Sequence, residues 1–456
     1  MNEKPVLTRK DYPYYFYSLI LVIIFPPFAD LLTGMISYFS GGANIPLGIM
    51  YRLGTLLVLF PLMLMHSNKL FQWSFLTVVI LWICCNVTWY FLADVYNPAW
   101  EVNRIFRHIY IISVFGFLLY LWDKFRISFP QVMKYLVYMC FISSLSLIFS
   151  FVTGIGISVS SEEEWGFGMS SFFGAANDAG LMILITMPMA FYFLLREFSM
   201  KWVIICIAMM FGIITLSTRT AVFGTIFVFI TYMVSIFIYG QKNVRIARFK
   251  KIPIFIIALM IMAGGAFYVF HMITSYTHVT KKYVETFTGK GFRGNNPDIA
   301  AQMTFDRNIM LQLFGQGNYS FHKNMMDTKY GDLGYTILEH GRNVEMDYWD
   351  MVGPYGFILG HIFVFFPVLA FFIMLVNFFL KPDILNLTIL MGIAFFTFHS
   401  LNAGHAVASN LVSSVINVVY IYIFYYKQVR RDLRIDPSVT FLEDEADNRL
   451  QSPALT

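Results

Sequence analysis

The sequence predicts an all-α, polytopic membrane protein of about twelve spans, and three observations carry that expectation. The chain is 58% hydrophobic and only 13% charged, with 49 Phe and 27 Tyr, a surface that water could not solvate. Its apolar runs are mostly about 17 to 25 residues long, the length of a helix that crosses a bilayer core, and they lack the alternation of a membrane barrel. Its basic residues fall into clusters between alternate runs, as the positive-inside rule requires.

The first expected span, 14–34, follows a short basic lead with Lys4, Arg9 and Lys10 and continues past Pro26 and Pro27. It is too long for a cleavable signal and is expected to remain as a span. Further spans are read near 45–65, 72–92, 106–122, 133–153, 175–195, 201–217, 220–239 and 252–273. A polar loop at 274–347 interrupts the series, and three spans near 349–379, 384–401 and 406–426 complete it. The organisation expected is helices one to nine in 1–273, one large extracytoplasmic loop in 274–347, helices ten to twelve in 348–430, and a cytoplasmic tail in 431–456. That tail carries Glu443, Asp444, Glu445 and Asp447 and is expected to be disordered.

Placing the amino terminus inside puts Lys69, Lys124, Arg126, Lys201, the Lys242 to Lys251 cluster, Lys381 and the basic group at Lys427, Arg430, Arg431 and Arg434 in the cytoplasm. Both termini are then cytoplasmic. These basic groups read as topology signals; there is no aromatic-interleaved basic face for nucleic acid. Cys84, Cys85, Cys140 and Cys206 all lie in apolar runs and read as buried small hydrophobes.

Against that pattern stand arginines on the outer side: Arg52, Arg104, Arg107, Arg219, Arg293, Arg307 and Arg342. Each taken singly is explained by snorkelling at the interface. As a group they point to an anion, because the planar guanidinium fork suits phosphate oxygens where lysine is the commoner anchor. Arg219, in Ser217-Thr218-Arg219-Thr220 between two apolar runs, is the most telling, and Arg307, Arg342, Arg293 and Arg104 join it as candidate diphosphate-binding residues.

The 274–347 loop is too long for a plain connection and is expected to be a lid or binding element. It holds a helix-like stretch from Ile299 to Phe314 with Asp306 and Arg307 inside it, and ends in a passage containing His340, Arg342, Glu345 and Asp347. Its aromatics fit sugar recognition and an interfacial belt equally well. Glu345, Asp347 and His340 are the candidate catalytic groups, since a carboxylate near the water boundary can be tuned by burial and by a nearby arginine to act as a base. For Asp347 the alternative is capping of the next span. No His/Asp/Glu grouping has the spacing of a metal site, and no Walker or dinucleotide glycine motif opens a helix, so neither a metal nor a cofactor is expected.

Ser217-Thr218-Arg219-Thr220 resembles the Ser-x-Arg-x motif of the O-antigen polymerase and O-antigen ligase superfamily. Asp306-Arg307 with the following Gly315-Gln316-Gly317 resembles that superfamily's loop arginine and its Gly-x-Gly, and Gly353-Pro354-Tyr355-Gly356 resembles the glycine pair of its re-entry into the membrane. The resemblance implies a GT-C-like architecture of about twelve transmembrane helices with one large extracytoplasmic loop. It also implies a metal-independent membrane glycosyltransferase of the bacterial inner membrane. Its donor and acceptor would be undecaprenyl-diphosphate-linked glycans, and its partners a chain-length-regulating co-polymerase, the flippase of the same pathway and the surrounding membrane lipids.

The chain departs from the ligase pattern in having Arg342-Asn343 where ligases commonly carry His-Asn, which favours the polymerase branch over transfer to a lipid A core. A transporter or flippase is the other class. Transporters place ionisable residues near the midplane, often in inverted repeats, whereas this sequence keeps its charges towards one face.

Overall fold

The computed structural model describes residues 4–41, 45–66, 69–158, 169–197, 199–216, 218–239, 296–330, 346–404 and 406–435. Within them run α1 (Pro13–Phe39), α2 (Leu47–His66), α3 (Lys69–Leu92), α4 (Pro98–Lys124), α5 (Phe129–Thr153), α6 (Ala176–Glu197), α7 (Met200–Thr215) and α8 (Arg219–Tyr239). After a gap follow three short helices, α9 (Asn296–Phe305), α10 (Ile309–Phe314) and α11 (Asn318–Tyr330), and then α12 (Asp347–Leu380), α13 (Ile384–Ala403), α14 (Asn410–Phe424) and α15 (Tyr426–Ile435). The fold is the all-α polytopic class. Seven of the described helices are long and apolar enough to cross a membrane, and four shorter apolar ones accompany them. The expected span at 252–273 lies outside the described residues.

Local chemistry sets the helix ends. Asn97 accepts a hydrogen bond from the Trp100 amide and Pro98 supplies a ready-made first turn, so α4 starts at Pro98 and not near 106. Its first turns are charged, which hides them from a hydropathy reading and sinks Arg104 and Arg107 into the helix. Asp383 and Ser409 cap α13 and α14 through the amides of Asn386 and Val412. Asn308 caps α10 by accepting from the Met310 amide, and this splits the single stretch expected over 299–314 into α9 and α10, with Asp306 and Arg307 at the break. Cys84 also departs from expectation: it is exposed on α3, while Cys85, Cys140 and Cys206 are buried.

A helix that is apolar on every side must be wrapped by others, and α6 is the one so wrapped. Its central window is 94% buried, against 22% for α3. Around it pack α5, α7, α8, α13 and α14, with α1 and α4 joined through α14 and α2 packed on α1 and α4. Small residues let these backbones approach, as where Gly212 of α7 lies against the Ser144 backbone of α5.

The basic residues gather at one end of the bundle. There Lys4 Nζ donates to the Trp122 carbonyl at 3.0 Å and Gln428 Nε2 donates to the same oxygen at 2.7 Å, so the chain's first and last described segments meet at the α4–α5 turn. Lys124 lies over the Tyr15 ring, Lys134 pairs with Glu197 at 2.7 Å and Arg430 pairs with Asp383.

The opposite end carries α9 to α11, fastened to the bundle by the two glycine motifs. The Gln316 and Gly317 amides donate to the carbonyls of Gly353 and Pro354 at 3.2 and 3.0 Å. Gly356 breaks α12 with a φ of 73°, and Gly315 has a φ of 82°, both in the left-handed region. Backbone meets backbone here: a Cβ on Gly356 would stand 2.3 Å from the Leu313 carbonyl oxygen. Buried Glu101 completes the latch, its carboxylate accepting from the Asn318 amide and side chain and from the Tyr319 amide at 2.8 to 3.0 Å. Trp89 Nε1 adds a bond to the Phe314 carbonyl at 2.9 Å. Beside it, burial and the Glu101 charge raise the Tyr96 phenol above its ordinary range.

Gly356→Ala combines φ strain of about 1–3 kcal/mol with a backbone clash, so the purified protein should unfold several degrees earlier, whereas Gly54→Ala, in open space, should not. Equal midpoints for the two variants would contradict the latch. The end bearing the basic residues is expected to face the cytoplasm. In a Cys84→Ser background, a cysteine at exposed Asp327 should react with an impermeant thiol reagent in intact cells and one at exposed Lys10 should not. Labelling at Lys10 alone would invert the orientation.

Candidate functional site

Four charged side chains from four helices converge on one cavity at the end opposite the basic one. The cavity has a volume of about 490 Å³ and is lined by Asp30 of α1, Arg52 of α2, Arg107 of α4 and Asp178 of α6, together with Asn103 and Asn410. The Asp30, Arg52 and Arg107 positions lie roughly 8–14 Å from the nearer ends of their helices, at 1.5 Å of rise per residue. Ionised groups at such depth persist only when paired or when they face a polar cavity.

Each charge is positioned by a specific neighbour. Asp30 pairs with Arg52 across the α1–α2 hairpin, and the Gly48 amide donates to Thr33 Oγ1 at 2.9 Å to hold the two helices in register. Gly48 also leaves room for the carboxylate, since a Cβ there would stand 2.3 Å from Asp30 Oδ1. Asp178 opens the first turn of α6 and accepts from Ser409 Oγ at 2.7 Å, and the same Ser409 caps α14. Arg107 faces these groups from α4 with its side chain exposed to the cavity, and it has no salt-bridge partner among the described residues.

Three polar atoms on the cavity's lining residues are enclosed yet lack a hydrogen-bond partner among the described residues: Arg52 Nε, a donor, Asn410 Oδ1, an acceptor, and the Tyr110 hydroxyl, which can do either. Buried polar groups are nearly always satisfied, so such a set beside a cavity marks a place for a ligand that both accepts and donates.

On the far side of α4 a second, apolar cavity of about 510 Å³ runs between α3, α4, α12 and α14, with His108, Phe363, Phe366 and Tyr420 among its walls. Ser409 joins the two, lining the apolar cavity while its hydroxyl reaches Asp178 in the charged one.

The residues expected from sequence are distributed unevenly. Arg219 opens α8 at the same end as the charged cavity, its neighbour Thr218 standing beside Gly180, two residues after Asp178; the Arg219 side chain lies outside the described residues. Arg307 pairs with Asp94 at 2.7 Å on the latch, and Arg104 lies over the Trp100 ring at 5.4 Å, neither of them lining the charged cavity. Asp347 is fully buried at the start of α12, and its Oδ2 accepts from the Val407 amide at 3.0 Å, tying α12 to the turn before α14. Arg293, His340, Arg342 and Glu345 lie outside the described residues.

Arg52 and Arg107 stood in the outer arginine set without being singled out, and Asp30 and Asp178 were not singled out at all. The available signal was a lone carboxylate within or at the edge of an apolar run.

A family model described as O-antigen ligase like membrane protein matches residues 13–288. The match takes in α1 to α8, and therefore Ser217 to Thr220 and all four charged residues of the cavity, and it ends before the loop arginine and the two glycine motifs. A comparison with curated proteins finds no match. The matched segment is more than half of the chain, and the chain belongs to the O-antigen ligase like family of membrane proteins, which makes it a membrane glycan-processing enzyme.

Proposed function

We propose that this protein polymerises undecaprenyl-diphosphate-linked oligosaccharide repeat units into a surface polysaccharide, by inverting glycosyl transfer on the outer face of the bacterial inner membrane. The observation that carries the reading is a charged cavity of about 490 Å³ at the same end as the start of α8 at Arg219, opposite the basic end. The apolar cavity on the other side of α4 suits a substrate that is part hydrocarbon.

In this reading the acceptor sugar hydroxyl attacks C1 of the donor glycan from the face opposite the lipid diphosphate. The C1–O bond to the diphosphate breaks as the new glycosidic bond forms, and the hydroxyl proton passes to a base. Negative charge grows on the departing diphosphate, so arginines fixed at that point stabilise the transition state more than the ground state. Arg219 is assigned this role, with Arg307, Arg342, Arg293 and Arg104 as further anion-binding candidates. Glu345 is assigned as the base, with His340 as its rival and Asp347 as a positioning group at the start of α12. A chain-length-regulating co-polymerase and the pathway's flippase are the partners this activity calls for.

Ligation of the finished glycan to lipid A core is the alternative, and it differs only in the acceptor. A deletion strain separates the two: core bearing a single repeat indicates a polymerase, and unattached lipid-linked polymer indicates a ligase.

Polymer formation from purified lipid-linked repeat units tests the assigned roles. Arg219→Ala should lose roughly 2–4 kcal/mol of transition-state stabilisation at normal abundance in the membrane, and Arg219→Lys should rescue poorly because a point charge does not replace the fork. Full activity of the lysine variant would leave Arg219 as a membrane anchor. Glu345→Gln should slow turnover by about a hundredfold or more, with His340→Ala the milder change. The reverse order would move the base to His340 and restore the ligase pattern.

A further inference from the structure

The charged cavity is electrically balanced, and that balance bears on what it holds. Among the described residues Asp30 and Asp178 offset Arg52 and Arg107, and no other charged side chain lines it. Arg52 is already committed to Asp30, so a diphosphate entering here would meet two carboxylates as well as two guanidinium groups. A neutral polyol meets no such penalty. Each sugar hydroxyl both donates and accepts, and the cavity offers fixed acceptors at Asp30, Asp178 and Asn410 Oδ1 beside fixed donors at Arg107 and Arg52 Nε. Exposed Phe106 adds apolar aromatic surface of the kind that a pyranose packs against. The volume falls within the roughly 300–1,000 Å³ of small-molecule sites.

We propose that the cavity between α1, α2, α4 and α6 is a carbohydrate site that receives the sugar of the acceptor glycan, with Asp178 and Arg107 hydrogen-bonding its hydroxyls and the lipid diphosphate held elsewhere. This rests on the glycosyl-transfer reading above. Asp178 is oriented for the task by Ser409, which occupies one carboxylate oxygen and leaves the other for a ligand. Arg107 is exposed to the cavity and is available without breaking a salt bridge to any described residue.

The test uses the purified full chain in detergent and two probes: the free repeat-unit oligosaccharide released by mild acid from the host's lipid-linked pool, and inorganic pyrophosphate. Binding of the oligosaccharide is followed by saturation-transfer NMR. The wild-type protein should bind it, a large excess of pyrophosphate should not displace it, and Asp178→Asn and Arg107→Gln should each weaken it by about tenfold or more. Arg107→Gln alters an exposed side chain and keeps the inference testable if the Asp178 variant fails to fold. Displacement by pyrophosphate would make this an anion site, and wild-type affinity in Arg107→Gln, or no binding to the wild type, would equally overturn the inference. Polymer formation by the same wild-type preparation reports separately on the glycosyl-transfer reading. Turnover without oligosaccharide binding sinks only the cavity assignment, while binding without turnover sinks only the polymerase.

Discussion

An ionised side chain inside an apolar helix bundle must find a partner or a polar cavity, and the arrangement of this molecule follows from where such partners are found. At the basic end Arg430 meets Asp383, Lys134 meets Glu197, and Lys124 rests on Tyr15. At the other end Asp30 meets Arg52, Asp178 takes a bond from Ser409, and Glu101 takes three bonds from the start of α11. Desolvating any one of these groups alone would cost more than the packing around it could return. Apart from Asp30 with Arg52 in the α1–α2 hairpin and Lys134 with Glu197 between α5 and α6, these pairings join elements that are not consecutive in sequence, so they also help to determine which helices are neighbours.

The two glycine motifs belong to this scheme as architecture. The Gln316 and Gly317 amides of the first donate to the Gly353 and Pro354 carbonyls of the second, and Glu101 receives the amides that follow. Their effect is to fix α9 to α11 over the ends of α3 and α4, beside the start of α12. Arg307, on the same latch, is paired with Asp94, which also takes a bond from Asn324. Membership of a glycan-processing family and a sugar-sized polar cavity near this latch are mutually consistent: the latched helices and the cavity mouth share one end of the bundle, and α4 runs from one to the other.

The candidate site divides into a part that was visible in the sequence and a part that was not. Arg219 stood out because an arginine between two apolar runs is costly to keep, and Arg52 and Arg107 were visible as members of an outer group. That Arg107 belongs to the cavity and Arg104 does not depends on their angular positions: three residues apart on α4, they point to different neighbours, one to Asp178 across the cavity and the other to Trp100 on its own helix. Asp30 falls near the end of the expected first span at 14–34, yet α1 continues to Phe39 and carries it well inside the helix.

The sequence by itself determined the all-α class, the near-complete series of spans and the gathering of basic residues at one end. Those features are local: run length and charge are each read over a few residues or a single helix. Only the tertiary structure decided that α6 is the wrapped central helix, that Asp30, Arg52, Arg107 and Asp178 share one cavity, and that two glycine motifs close on each other. The reason is that a membrane helix is apolar on its lipid face and on its protein face alike, so no hydrophobic stripe marks which side turns inward. Rotation and partner are then set by small-residue contacts and by charges meeting across helices, and neither is encoded at the position where it takes effect.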